Sequence, residues 1–212
     1  MVINKVCKID SNCIDVGCHK GEVLDLFIKK STSGYNWGFE PIPILYSELC
    51  KKYNSNKKIK VKQIALSNNS GETTFNYVVS NPSYSGIKKR KYDRKYEIDE
   101  QITVVCKKMD NIIPNSCKID IIKIDVEGGE LLVLEGAIET IRKNKPYIIF
   151  EHGLGASEFY ESNPEKIFKL LNSCGLKIST MKNWLNKKPC FTIDDFSKQF
   201  YDRINYYFIA YP

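Results

Sequence analysis

Histidine is almost missing from this chain, with only His19 and His152, so chemistry that needs a cluster of imidazoles is excluded. Eight cysteines are present, but none form a C-x-x-C pair or a ligand-like cluster. That spacing argues against a zinc centre or a disulfide framework and for reduced, buried thiols in a cytoplasmic protein. No apolar run approaches the roughly 20 residues that span a bilayer, so no membrane span is expected. The N-terminal Met-Val-Ile-Asn-Lys-Val-Cys-Lys is interrupted by polar residues and lacks the continuous apolar stretch of a secretory signal. No repeat period, low-complexity tract or internal linker appears, which leads us to expect a single α/β domain over residues 1–212.

Acidic residues are fewer than basic ones, 25 against 32, for a formal net charge of +7. The excess favours a polyanion, whether nucleic acid, membrane surface or acidic glycan, and the sign alone does not choose. Much of it sits in one place. Lys88, Lys89, Arg90, Lys91, Arg94 and Lys95 crowd residues 88–95, ahead of Glu97, Asp99 and Glu100, within a basic insertion loop expected over about 80–101. A solvated surface loop explains such a run as readily as a binding site does.

Strand and helix patterns alternate along the rest of the chain. Residues 12–17 read as a short buried strand ending in glycine, followed from Lys20 by apolar residues at helical spacing. Residues 35–40 form a second strand stopped by Pro41, a helix runs to about Tyr53, and 59–66 gives a third strand. An extra strand is expected at 73–79 and another at 102–106. Residues 119–126 are the strongest strand pattern and should be central, ahead of a helix over 130–142. A strand at 146–152, a helix at 164–174 stopped by Gly175, and two last strands at 177–181 and 203–211 complete a doubly wound, mostly parallel sheet. Ligands in such sheets bind at the carboxyl ends of the strands.

Those ends carry the polar residues. In Asp15-Val-Gly-Cys-His-Lys-Gly21, glycines 17 and 21 free the backbone for a tight strand-to-helix turn. Glu40, about 20 residues on at the end of the second strand, stands where a carboxylate grips ribose hydroxyls. A ribose is common to nicotinamide dinucleotides and S-adenosylmethionine. The turn lacks the third glycine that admits a pyrophosphate, and Asp15 would repel one while pairing with an amino group, which favours S-adenosylmethionine.

Four segments, in order, resemble the FkbM family of methyltransferases, whose members carry I-D-V-G-A-N-x-G, F-E-P, A-L-S-N-x-x-G and K-I-D-V-E-G. Here they are Ile14-Asp-Val-Gly-Cys-His-Lys-Gly21, Phe39-Glu-Pro41, Ala65-Leu-Ser-Asn-Asn-Ser-Gly-Glu72 and Lys123-Ile-Asp-Val-Glu-Gly-Gly-Glu130. The resemblance covers residues 12–152. It implies a Rossmann-like class I methyltransferase fold: seven strands, an antiparallel last strand, helices on both faces. It further implies transfer from S-adenosylmethionine to a hydroxyl of a sugar, glycan or glycosylated small molecule. The cofactor would be held by Asp15, Gly17, His19, Gly21, Glu40, Pro41, Leu66 and Ser67. The chain departs from the pattern at His19, where the family has Asn, and at Cys18, where Ala is common.

At the reaction end, an alcohol acceptor needs a base. His152, closing its strand beside Glu151, has the type and position for that role; a histidine bonded to a neighbouring backbone is the structural reading. Asp125 and Glu127 are expected on one face with Lys123 if the strand persists. They serve as ion-pair partners of Lys123 or as catalytic acceptor-positioning groups, or Asp125 and Glu151 hold a divalent metal. Tyr84 and Trp184 are aromatic side chains that stack on an acceptor or serve as satellite core contacts. Two alternatives remain. An RNA methyltransferase would use the basic loop, though the chain lacks the Asn-Pro-Pro-aromatic sequence of base amino-group methylation. A non-catalytic binding protein of the same fold is the reading that His19 raises.

Overall fold

The computed structural model describes residues 2–92, 94 and 96–212, so Lys95 of the basic run lies outside the described residues. A short helix α1 (Val2–Val6) precedes β1 (Cys13–Val16), α2 (Glu22–Lys30), β2 (Asn36–Phe39), α3 (Pro43–Tyr53) and β3 (Ile59–Lys62). Then come β4 (Ala65–Leu66), β5 (Gly71–Val78), β6 (Asp99–Lys107), β7 (Ile121–Ile124), α4 (Glu130–Glu135), α5 (Ile138–Asn144) and β8 (Tyr147–Glu151). The chain closes with α6 (Pro164–Ser173), β9 (Lys177–Thr180), α7 (Met181–Leu185), α8 (Ile193–Tyr201) and β10 (Tyr207–Tyr211).

Seven strands form the main sheet in the order β3-β2-β1-β7-β8-β10-β9, with β7 at its centre as its apolar pattern predicts. The strands run parallel except the last, β10, which is antiparallel to both β8 and β9. Alternation along each strand sorts side chains between two helical layers. Ile14, Val16, Ile122, Ile124, Ile148 and Phe150 face the core built with α4, α5, α6 and α8. Cys13 and Ile121 face α1 and α2, where Phe27 is buried. Asp15 and Lys123 are opposite one another in the β1–β7 register and share that second face.

Three expectations need correction. The third strand is two: β3 edges the main sheet, while Ala65–Leu66 turns off and pairs with β6. Together β4, β6 and β5 make a separate three-stranded sheet. A run of apolar residues at period two shows that a segment is extended, not which partner it takes. The helix expected over 130–142 is broken at Gly136, where a Cβ would collide with the Ser67 carbonyl oxygen, so the second sheet leans directly on the helix layer. Finally, α1, α7 and α8 occupy stretches without a predicted element. The start of α8 carried a local signal, since Thr192 and Asp195 form a reciprocal capping box.

Candidate functional site

The carboxyl ends of β1, β2 and β7 and the β4 strand surround one cavity of about 270 Å³. Its floor is the turn after β1. Gly17 adopts a left-handed conformation (φ +70°), and a Cβ there would collide with the Asp125 carbonyl oxygen, so this glycine lets β1 and β7 close together. His19 is also left-handed (φ +48°). Asn, Asp and His are the non-glycine residues most tolerant of that region, so a histidine fits this turn.

The His19 backbone N–H donates to Glu40 Oε2 (2.8 Å), and the Ile42 N–H donates to Oε1 (3.0 Å). Glu40 is thereby fixed at the end of β2, only 4% exposed. Burial pushes its carboxyl up to about 7 against the opposing pull of those two N–H groups. Asp15 is fully buried, and neither of its oxygens accepts a hydrogen bond from a described residue. Lys123 Nζ lies 3.4 Å from it but donates to the Gly17 carbonyl oxygen at 2.9 Å. Burial raises Asp15 to about 6, with the Lys123 charge resisting. Burial works against the Lys123 ammonium, yet Asp15 and Asp125 outweigh it and hold that pKa above the ordinary lysine value.

Six of the eight expected cofactor residues line this cavity: Asp15, Gly17, His19, Glu40, Pro41 and Leu66. Gly21 instead caps α2 behind the turn, and Ser67 borders a neighbouring polar cleft. Five carboxyl side chains line the cavity (Asp15, Glu22, Glu40, Asp125 and Glu127) against one ammonium, Lys123. A protein of net charge +7 thus encloses an acidic chamber, which suits a cationic ligand and disfavours a pyrophosphate.

Strand β7 ends at Ile124, so the expectation that Asp125 and Glu127 share a strand face fails: Glu127 sits in a turn with φ +58°. That turn is held by fully buried Glu130, which accepts from the Val126 (3.0 Å) and Gly128 (3.1 Å) N–H groups. The sequence reading gave Glu130 no role beyond its place in the motif. The turn nonetheless brings Asp125, Glu127 and Glu151 within 4.8 Å of one another. Three oxygen donors suit a hard divalent cation by type. Arg90 already pairs with Glu127. Burial, followed by the charges of Asp125 and Glu127, pushes the Glu151 carboxyl up to about 9, which favours its protonated form.

His152 requires a correction. Strand alternation turns it to the face opposite Glu151, where it is 0% exposed and stacks on Phe200 (4.5 Å between centroids) and Phe196 (6.0 Å). Its Nδ1 meets Ser157 Oγ at 3.1 Å, its Nε2 has no partner among the described residues, and it does not line the cavity. Burial lowers its pKa to about 3, so it stays neutral.

The basic loop is anchored. The Arg90 guanidinium lies over the Tyr84 ring (5.1 Å), Tyr84 stacks on Tyr92 (6.2 Å), and the Lys88 N–H donates to the Tyr160 hydroxyl (2.8 Å). Lys89 pairs with Asp99 at 2.8 Å. Trp184 packs on Tyr147 and Tyr211, away from the cavity, as a satellite core contact.

A mostly parallel seven-stranded sheet whose last strand is antiparallel, with acids closing β1 and β2 around one chamber, defines the Rossmann-like class I, S-adenosylmethionine-dependent methyltransferases. Within that class the chain belongs to the methyltransferase FkbM domain family, which it matches over residues 15–178. Its fold is similar to that of the methyltransferase FkbM from Methylobacillus flagellatus KT (TM-score 0.56, 17% identity, 96% of this chain and 44% of that one). The chain therefore spans less than half the length of that relative. A putative rRNA-methylase from Clostridium thermocellum is similar over 99% of this chain and 89% of its own (TM-score 0.50, 11% identity). No curated protein matches the sequence.

Proposed function

We propose that the protein is an O-methyltransferase acting on a hydroxyl of a sugar, glycan or glycosylated small molecule. The observation that carries the cofactor half of this reading is Asp15, a buried carboxylate that accepts no hydrogen bond among the described residues and has only the Lys123 ammonium near it, in a chamber that also holds Glu40. Asp15 would take the amino group of the methionine moiety and Glu40 the ribose hydroxyls, each through its free lone pairs. When bound, S-adenosylmethionine supplies a methyl group already activated on a sulfonium.

Transfer of that methyl to an acceptor oxygen would break the S–C bond and release the acceptor's proton, which a residue of the chain must take. Glu127 lines the chamber, and burial raises it to about 7 while the Arg90 charge favours ionisation. A base near the working pH is the effective choice for this transfer, and we assign Glu127 that role with Asp125 beside it. RNA is the less favoured acceptor because three cations of the basic segment are engaged within the protein: Lys89 with Asp99, Arg90 with Glu127, and Lys88 over the Tyr160 ring.

Calorimetric titration tests the cofactor half. S-adenosylmethionine should bind saturably, Glu40→Ala should weaken binding at least about tenfold, roughly the loss of one hydrogen-bonded pair to a charged group, and NAD should not bind. Equal binding by the variant would sink the assignment of Glu40.

A further inference from the structure

The carboxyl triad straddles the edge of the cofactor chamber: Asp125 and Glu127 line it, and Glu151 does not. Beyond Glu151 comes β10, antiparallel to β8, with Tyr207 in direct register with Glu151. Opposed residues on neighbouring strands place their Cβ atoms about 4.5–5.5 Å apart on one face, so the Tyr207 ring borders the triad from the side away from the cofactor. Tyr207 is 49% exposed, whereas Phe208, Ile209 and Ala210, which follow it on β10, are fully buried. Its neighbour Tyr206 seats its ring against Gly153, where any Cβ would collide with that ring, so the chain entering β10 is fixed in place. Burial, then the charges of Asp125, Glu151 and Glu127, raises the Tyr207 phenol above the ordinary tyrosine value, which agrees with a hydroxyl facing the triad.

We propose that Tyr207 is an acceptor-binding residue whose ring takes the C–H face of a polyol ring while the acceptor's hydroxyls meet the carboxyl triad. The proposal rests on the methyltransferase reading above and adds a site residue to it. An amphipathic aromatic beside carboxyl groups matches a saccharide, which has apolar C–H faces and an equatorial belt of hydroxyls. The acceptor hydroxyl would sit at the mouth of the chamber within reach of Glu127 and Asp125, with the Tyr207 ring against the outer face of the sugar.

The test uses the full chain loaded with S-adenosylhomocysteine and three probes: methyl α-D-glucopyranoside, methyl α-D-mannopyranoside and methyl α-L-rhamnopyranoside. Saturation-transfer NMR should show at least one probe receiving signal from the protein, strongest at its ring C–H protons. Tyr207→Ala should lower its affinity at least about tenfold, while Tyr207→Phe, which keeps the ring, should stay within about threefold of wild type. S-adenosylmethionine affinity, measured by calorimetry, should be unchanged in both variants. Normal cofactor binding with no signal from any glycoside, or with undiminished signal in Tyr207→Ala, overturns this proposal alone. Absence of cofactor binding in the wild type would overturn the reading beneath it as well.

Discussion

The contrast between His152 and Glu151 turns on a single step along the chain. Glu151, the last residue of β8, joins Asp125 and Glu127, while His152, just past the strand, turns the other way into the aromatic core of Phe196 and Phe200. A general base must reach the proton that it removes, and a neutral, enclosed imidazole does not. His152→Leu should therefore leave S-adenosylmethionine affinity within about twofold and retain methyl transfer, because loss of a true general base removes roughly a hundredfold or more. The variant should also flatten the acid limb of stability. With a folded pKa near 3 against 6.5, this histidine withholds a proton that the unfolded chain takes up, so its neutral burial costs stability as pH falls through that window. Normal cofactor binding with turnover reduced more than about a hundredfold would return the base role to His152.

Among the elements, the join between the small sheet and the helix layer sets the wall of the site. Leu66 on β4 lines the chamber, and Ser67, the next residue, rests its carbonyl on Gly136 between α4 and α5. The Gly136 carbonyl in turn accepts from the Asp110 N–H at 3.1 Å, while the Asp110 carboxyl accepts from the Glu139 and Thr140 N–H groups at the start of α5. A methyl at position 136 has nowhere to go without parting these layers. Gly136→Ala should lower stability by about 1–3 kcal/mol, the usual penalty for overpacking, and weaken cofactor binding through displacement of Leu66. Thermal denaturation and calorimetry on the same preparation check both effects. An unchanged melting temperature would show that the layers part freely.

For the whole molecule, the buried carboxyls in and beside the chamber couple folding to pH. Asp15 near 6, Glu40, Glu127 and Glu130 near 7, and Glu151 near 9 all lie above their ordinary values, chiefly through burial. Between about pH 4 and each raised value, the folded protein holds protons that the unfolded chain has released, so stability falls as pH rises. His152 acts in the opposite sense, but below 6.5, and it is one group against five. The ligand-free protein should lose at least about 4 °C of melting temperature between pH 5 and pH 8, the shift that 1–2 kcal/mol produces at this size. S-adenosylmethionine should restore more at pH 8 than at pH 5, because its cationic groups offset ionised carboxylates. A melting temperature that holds or rises over that range would mean that the chamber is wetter than its burial implies.

Much of this was written along the chain. Apolar alternation and the placement of glycine and proline suffice for the order of the main-sheet strands and of most helices, the central place of β7 and the acids at the strand ends, because those features depend on neighbours a few residues away. The turn after β1 was legible from Gly17 and Gly21, whereas its closure by Glu40 through the His19 N–H and by the Asp125 backbone against Gly17 joins more distant segments. Strand partners, and what each strand-end side chain faces, depend on residues far away in sequence. The split of residues 59–66 between two sheets, the anchoring of Arg90 on Glu127, the convergence of Asp125, Glu127 and Glu151 through a left-handed turn, and the enclosure of His152 by α8 were decided only when distant segments packed together. Burial of that kind is a property of the assembled layers, and it set which carboxyls hold protons and which histidine stays neutral.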